Sequence, residues 1–557
     1  MSESDSHNID LPPWVKLDIT NVSLALAILG AYLTTINQIS YLLKERLLLS
    51  SALVALCVGI AFGPIGTDWL SPGQWTGHSE TAQNSLTFQI CRIVIGIQVM
   101  FAGIDLPGAY LRREALSLTM LLLPVMVCAW FTSALFIWLL VKGGITYLEA
   151  LAISACVTPT DPILANAIVK GKYAEKYVPQ RVRDVLSAES GANDGLGYPF
   201  LFLAVNLMQR YGQHGSINAA VQHWVVTTWL YQIGLACVLG TVIGYVARKT
   251  LKFAHGRGYI DHESFLAYGV GLALFTLGIV GVLGSDDVLA CFVAGNSLTW
   301  HDFYRREASE EDTFQGVIDN LLDTATFLYI GAIIPWSDFT SEYLTPWRLV
   351  VLAICILLVR RLPFVLAFSK LIPALEGKKE SLFAGWFGPI GVSALYYAIL
   401  ARETIPENRT ALHAIIFPVV IFIAMSSTIV HGITIPVSTT LPKAMSRTYT
   451  TMSTASRKNS SFRTWFRSTN DVEDGTGTFT PADVSRPASR PMSRHSSIEE
   501  MQQVDGSGIA TPAAAQVKPS REALRRGNSS TSVATAGKEN EKAEGQPQAS
   551  RVGFVEP

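Results

Sequence analysis

The chain has 557 residues, 49% of them hydrophobic and 16% charged, with a formal net charge of −1 and a mean hydropathy of +0.31. That net charge argues neither for nor against a nucleic-acid partner, and its distribution is more useful than its sum; no nucleic-acid partner is expected of a chain organised as follows. Repeated apolar runs of about 20 residues exclude an ordinary soluble globule, because a bilayer core of about 30 Å is what calls for them.

Residues 1–19 hold no basic stretch leading into a cleavable apolar run, so they are expected to form a short extracellular segment rather than a removable leader. Hydropathy then predicts helices over 20–43, 47–66, 86–107, 115–141, 146–169, 184–208, 223–247, 263–283, 286–299, 314–336, 346–370, 383–401 and 410–436. That is an all-α polytopic membrane domain, residues 20–436, with about thirteen spans. The seven cysteines are scattered, mostly within these spans, with no CxxC pair or Cys/His metal spacing; small core residues are expected, and no cofactor. Alternate loops carry most of the basic residues: Lys44, Arg46, Arg112, Arg113, Lys170, Lys172, Lys176, Arg181, Arg183, Arg248, Lys249, Lys252 and others further on. The opposite loops hold little beyond Lys142, Arg210, Arg402 and Arg409. The basic side is read as cytoplasmic, which places the N-terminus outside and the C-terminus inside. It also puts the sequon Asn408-Arg409-Thr410 outside, close to the membrane.

A charge at mid-membrane is costly, so each one asks for a reason. Arg92, in the third predicted span, either pairs with a carboxylate not identifiable from sequence or snorkels. In the fifth, TPTDP sets Thr160 and Asp161 between Pro159 and Pro162. Each proline removes a helix donor, so the helix should open there and leave carbonyls free beside a carboxylate. Such a break either builds an ion site at the midplane or is a kink whose second half is capped by Asp161. In the sixth, AESGAND sets Glu189 and Asn193 on one helix face and Ser190 and Asp194 on the adjacent one. Burial favours the neutral form of a carboxyl group and a bound hard cation favours the charged form, so one site can hold either a proton or a cation. Asp286 and Asp287 adjoin the start of the ninth span. They either cap it or form an acidic vestibule that concentrates cations. Arg360 and Arg361 lie within the eleventh span, and one of them is expected to pair with Glu189.

TPTDP in one span followed by AESGAND in the next resembles the cation–proton antiporter superfamily, most closely the NhaP-type sodium–proton exchangers and their fungal plasma-membrane branch with a long hydrophilic tail. The resemblance covers roughly residues 20–436. It implies an NhaA/NhaP-like fold of two inverted six-helix repeats, with the fifth and twelfth helices broken and crossing. Gly388–Ala398, GPIGVSALYYA, suits the second break. It further implies a homodimer in the plasma membrane. That dimer exchanges Na⁺, and as further candidates Li⁺ and K⁺, for H⁺ by alternating access, with roles in salt tolerance and in pH and cation homeostasis. Asp194 would be the exchange carboxylate, Ser190 and the backbone near Thr160 cation ligands, Asn193 a brace of the crossing, and Glu189 the partner of an arginine of the eleventh helix. The sequence departs from prokaryotic relatives in the third span, where VMFAGIDLPGAY stays apolar until Asp105, so the coordination shell is expected to differ.

Residues 437–557 are polar and rich in Ser and Thr, a composition unable to bury a core, and are read as a disordered cytoplasmic regulatory tail. Within it, Arg457–Arg467 interleaves basic and aromatic residues, as either a membrane-surface segment or a plain linker. Ser489, Ser493 and Ser497 each follow an arginine by three residues, a spacing that basic-directed kinases favour; a kinase or regulatory protein is thus a candidate partner. Three other readings compete with a transporter of small cations. An intramembrane aspartyl protease would need GxGD and YD motifs, which are missing. A cation channel would need a TVGYG-like filter. A sodium-coupled organic-solute transporter fits poorly with polar groups that are all small oxygen ligands suited to a hard ion.

Overall fold

The computed structural model describes residues 21–39, 42–43, 47, 49–162, 165, 176–212, 216–308 and 313–434. The N-terminal segment, the tail with its basic and serine motifs, Lys44, Arg46, Lys170 and Lys172 lie outside the described residues. Every regular element among the described residues is helical.

The main helices are α1 (Asn21–Gln38), α2 (Ser51–Phe62), α3 (Glu80–Asp105), α4 (Ala115–Leu140), α5 (Tyr147–Val157), α6 (Gln180–Gly212) and α7 (Ile217–Gly256). They continue as α8 (His262–Val282), α9 (Asp287–Leu298), α10 (Thr313–Ala332), α11 (Pro346–Leu371), α12 (Lys378–Trp386), α13 (Val392–Thr404) and α14 (Thr410–Thr434). Six of these, α3, α4, α7, α8, α11 and α14, are long and apolar enough to cross a membrane, which makes this an integral membrane protein.

Local chemistry sets the ends. Ser79 caps α3, accepting from the Ala82 N–H at 3.3 Å, so that helix starts six residues before the apolar window does. Thr146 and Glu149 form a capping box at α5. Asp261 caps α8, and its bonds with the side chain and N–H of Ser264 hold its exposed carboxyl below the usual carboxylate range. Helix α7 runs 40 residues, well past the predicted 223–247. Hydropathy measures partition into lipid, not helicity, so the basic stretch from Arg248 to Lys252 continues the helix. Pro124 and Pro199 sit inside α4 and α6; the first lies in a π turn, Leu121–Val125, which accommodates its missing N–H.

Close approach of backbones organises the packing. A Cβ on Gly295 of α9 would strike the Met100 carbonyl of α3, and one on Gly331 of α10 the Leu56 carbonyl of α2. Polar rungs tie α3 to α10: Thr87 to Tyr329 at 2.7 Å, Gln98 to Asp323 at 2.8 Å and Gln315 to Asp105 at 3.1 Å.

Candidate functional site

The two interrupted helices meet at their breaks. Helix α5 stops at Val157 and the chain runs non-helically through Thr158–Asp161; α12 stops at Trp386 and α13 resumes at Val392. The Asp161 N–H donates to the Pro389 carbonyl at 2.9 Å, while the Asp161 carboxylate accepts from the Val392 N–H. Asp161 therefore caps α13, the half-helix of the other break. A Cβ on Gly391 would occupy the space of that carboxylate, so the residue there must be glycine.

Buried backbone groups need partners, and both breaks can be accounted for almost group by group. Arg360, 3% exposed, donates to the carbonyls of Val157, Thr158 (3.0 Å) and Pro159 (3.3 Å) from one nitrogen and to Gly388 from the other. One guanidinium thus closes the open ends of both helices, where the helix dipole is negative. Arg361 donates through Nε to the Ala384 carbonyl at 3.0 Å, in the last turn of α12, and grips Glu189 with both remaining nitrogens, one of them at 2.7 Å. Of the two arginines, Arg361 is the partner of Glu189. From α14, Ser427 accepts from the Ile390 N–H at 2.8 Å, and His431 Nε2 meets the Trp386 carbonyl at 3.1 Å.

Around Asp194 the groups come from three segments. The Asn193 side chain accepts from the Thr160 N–H at 3.1 Å and donates to the Thr160 hydroxyl at 2.7 Å, locking α6 to the first break. The Thr160 and Ser190 hydroxyls lie 3.1 Å apart. Asp194 itself is 1% exposed, and neither of its carboxylate oxygens has a hydrogen bond of ordinary geometry. The Ser393 hydroxyl of α13, also without such a bond, faces it. Tyr397, one turn further along α13, donates to the carbonyls of Asp194 and, at 3.1 Å, Gly195. The Gly195 carbonyl is the one that Pro199 cannot serve, because proline has no N–H to offer the residue four before it.

Thr160, Asp161, Glu189, Ser190, Asn193, Asp194, Arg360 and Arg361 are thus gathered at one crossing. Asp286 and Asp287 stand apart from it at the first turn of α9, where Leu289 packs on Gly195. Asp286 is the N-cap, accepting from the Leu289 N–H at 2.9 Å, and Asp287 pairs with Arg92, whose Nε lies 2.6 Å away. Both are buried, 1% and 5% exposed; Asp286 caps α9 through one oxygen while its other has no hydrogen-bond partner, and Asp287 is held by Arg92. Sequence reasoning missed Ser393, Tyr397, Ser427 and His431. The signal available was the position of Ser393 two residues after Gly391 and four after Pro389 of the second break.

Comparison with known proteins agrees with this architecture. The family described as sodium/hydrogen exchanger, transmembrane, matches residues 29–440. A Schizosaccharomyces pombe protein named "Probable Na(+)/H(+) antiporter" is 41% identical over 439 residues, 75% of this chain and 56% of its own length. A Na⁺/H⁺ antiporter of Saccharomyces cerevisiae is 38% identical over 446 residues, 76% of this chain and 44% of its own. The chain thus spans about half the length of these curated relatives. The sodium proton antiporter MjNhaP1 of Methanocaldococcus jannaschii shares the fold, with a TM-score of 0.54 and 18% identity over 74% of this chain and 96% of that one.

Proposed function

Since the chain belongs to the sodium/hydrogen exchanger family, we propose that it is a secondary antiporter exchanging Na⁺ for H⁺, with Li⁺ and K⁺ as further candidate cargo, and that proton and cation share the Asp194 carboxylate. The observation that carries this reading is the carboxylate itself: buried, without a hydrogen bond of ordinary geometry, faced by the Ser393 hydroxyl, and on the same helix as Ser190, whose hydroxyl meets that of Thr160. An ionised carboxylate in such a place is costly unless a proton or a cation joins it, and the surrounding oxygens suit a hard monovalent ion. Asn193 and Asp161 have positioning roles in this reading, one holding α6 to the first break and the other holding α13 to it. Glu189 with Arg361 is a structural ion pair.

The interruption of α5 and of α12–α13 supports two inverted six-helix repeats of a thirteen-span domain; alternating access and a homodimer join the reading through the family resemblance. The distribution of basic loops supports an outer N-terminus and a cytoplasmic tail, and the arginine spacing before Ser489, Ser493 and Ser497 supports regulation of that tail by a kinase. Residence in the plasma membrane and a role in salt tolerance belong to the same reading, through the resemblance of TPTDP and AESGAND to the fungal plasma-membrane branch.

Proteoliposomes with an internal pH dye and an imposed ΔpH test the reading as Na⁺, Li⁺ and K⁺ are added in turn. Cation-dependent dissipation is expected, and Asp194→Asn should abolish it while leaving thermal stability and oligomer intact. Because the two ligands compete, acidification should raise the apparent KM for Na⁺, up to about tenfold per pH unit where the site is mostly protonated, and leave the maximal rate little changed. Exchange that survives Asp194→Asn, or a cation KM indifferent to pH, would remove Asp194 from the role.

A further inference from the structure

We infer that Ser393 supplies a ligand to the transported cation from the second broken helix, and that its hydroxyl sets a preference for Na⁺ and Li⁺ over K⁺. This rests on the exchange reading and adds to it a residue on the opposite side of the crossing from Ser190 and Thr160.

Three observations converge on it. First, Ser393 is 1% exposed and its hydroxyl has no partner of ordinary geometry, although it faces a carboxylate in the same condition. A serine inside a helix usually bonds back to the carbonyl four residues earlier. Here that carbonyl belongs to Pro389, lies in the break, and already accepts from the Asp161 N–H. Second, the other hydroxyls are committed: Thr160 and Ser190 contact one another, and Thr160 also accepts from Asn193. Ser393 is the uncommitted hydroxyl of the three. Third, the backbone that carries it is pinned on both sides, at Val392 by Asp161 and through Tyr397 by the Asp194 and Gly195 carbonyls. An oxygen that cannot follow the ion outward discriminates by size.

A hydroxyl has one donor and two lone pairs. It donates to the bare Asp194 carboxylate, and turns its lone pairs to a cation once one is bound there. Attraction between an ion and a fixed dipole strengthens as the ion shrinks, so removing the oxygen penalises Li⁺ and Na⁺ more than K⁺.

The test uses the full chain in proteoliposomes, comparing wild type, Ser393→Ala, Ser393→Cys and Ser393→Thr for the KM of each cation, with Na⁺-dependent thermal stabilisation measured in parallel. Ser393→Ala is expected to raise the KM for Li⁺ and Na⁺ about tenfold, equivalent to about 1.4 kcal/mol, and that for K⁺ less than about threefold. Ser393→Cys keeps the volume but offers a poor hard-ion ligand and should behave like alanine, whereas Ser393→Thr keeps the hydroxyl and should stay near wild type. A change equal for all three cations, or a shift of the pH profile with the cation ranking intact, would overturn the assignment. So would threonine behaving as alanine does. If wild type moves no cation yet Na⁺ stabilises it in a Ser393-dependent way, the exchange reading fails and the ligand stands.

Discussion

Glu189 and Arg361 give the sharpest test of how the crossing is held. Their side chains are 2% and 8% exposed, and the guanidinium binds both carboxylate oxygens. Glu189→Gln leaves a buried cation facing an amide, and Arg361→Met leaves a buried carboxylate. Breaking such a pair from either side costs about 3–5 kcal/mol, because the surviving charge keeps its desolvation penalty and loses its partner. Arg361→Met also strips the donor from the Ala384 carbonyl, adding about 1 kcal/mol. The double variant removes both charges and retains only that last loss. It should therefore be more stable than either single variant, with a coupling of at least about 3 kcal/mol across the cycle. Thermal and denaturant unfolding of the four purified proteins in one detergent measure it. Losses that simply add would refute the pair as the principal tie between α6 and α11.

Tyr397→Phe should orphan the Gly195 carbonyl and cost about 1–3 kcal/mol in the same unfolding assay. Adding Pro199→Ala should recover most of that, since alanine restores the N–H that the carbonyl lacks; no recovery would mean the tyrosine acts elsewhere. Gly391→Ala should cost about 1–3 kcal/mol by driving a methyl group into the Asp161 carboxylate. It should also depress exchange by releasing the cap on Val392, and a variant as stable and active as wild type would show that the cap is dispensable.

Much of the crossing is legible in the sequence. Prolines at 159 and 162 dictate where α5 stops, and Pro389 with Gly388 and Gly391 where α12 does, because these residues act on their own backbone. What lay beyond reach was which distant group serves each exposed carbonyl or N–H. Arg360 and Arg361 are neighbours in sequence and alike in chemistry, yet one faces four carbonyls and the other a carboxylate 172 residues away. Their divergence follows from the turn of the chain at Arg361, where α11 is interrupted and its two side chains leave in different directions. Asp161 caps α13, a helix distant in sequence, because the two breaks abut; most of its own half-helix lies outside the described residues. The free carbonyls expected as cation ligands are likewise mostly spoken for, three of those at the first break being bound to Arg360.

That last point changes how cargo and crossing fit together. With three backbone oxygens of the first break occupied by a guanidinium, side-chain oxygens of α6, α13 and Thr160 gain weight as ligands in the exchange reading, which makes the site sensitive to how those segments sit. The charges then follow a simple pattern. Arg360 and Asp161 oppose one another at the two breaks, Glu189 and Arg361 cancel as a pair, and Asp194 has no cationic partner among the described residues. Loaded with a proton or with a monovalent cation, Asp194 adds nothing to the net charge of the crossing. Empty, it adds a full negative charge in a place where insertion scales put the cost of an ionised side chain at about 2.5–3.5 kcal/mol. In the exchange reading, reorientation is therefore permitted in both loaded states and opposed in the empty one. That is the condition for coupling proton movement to cation movement, and it needs no gate beyond the electrostatics of one carboxylate.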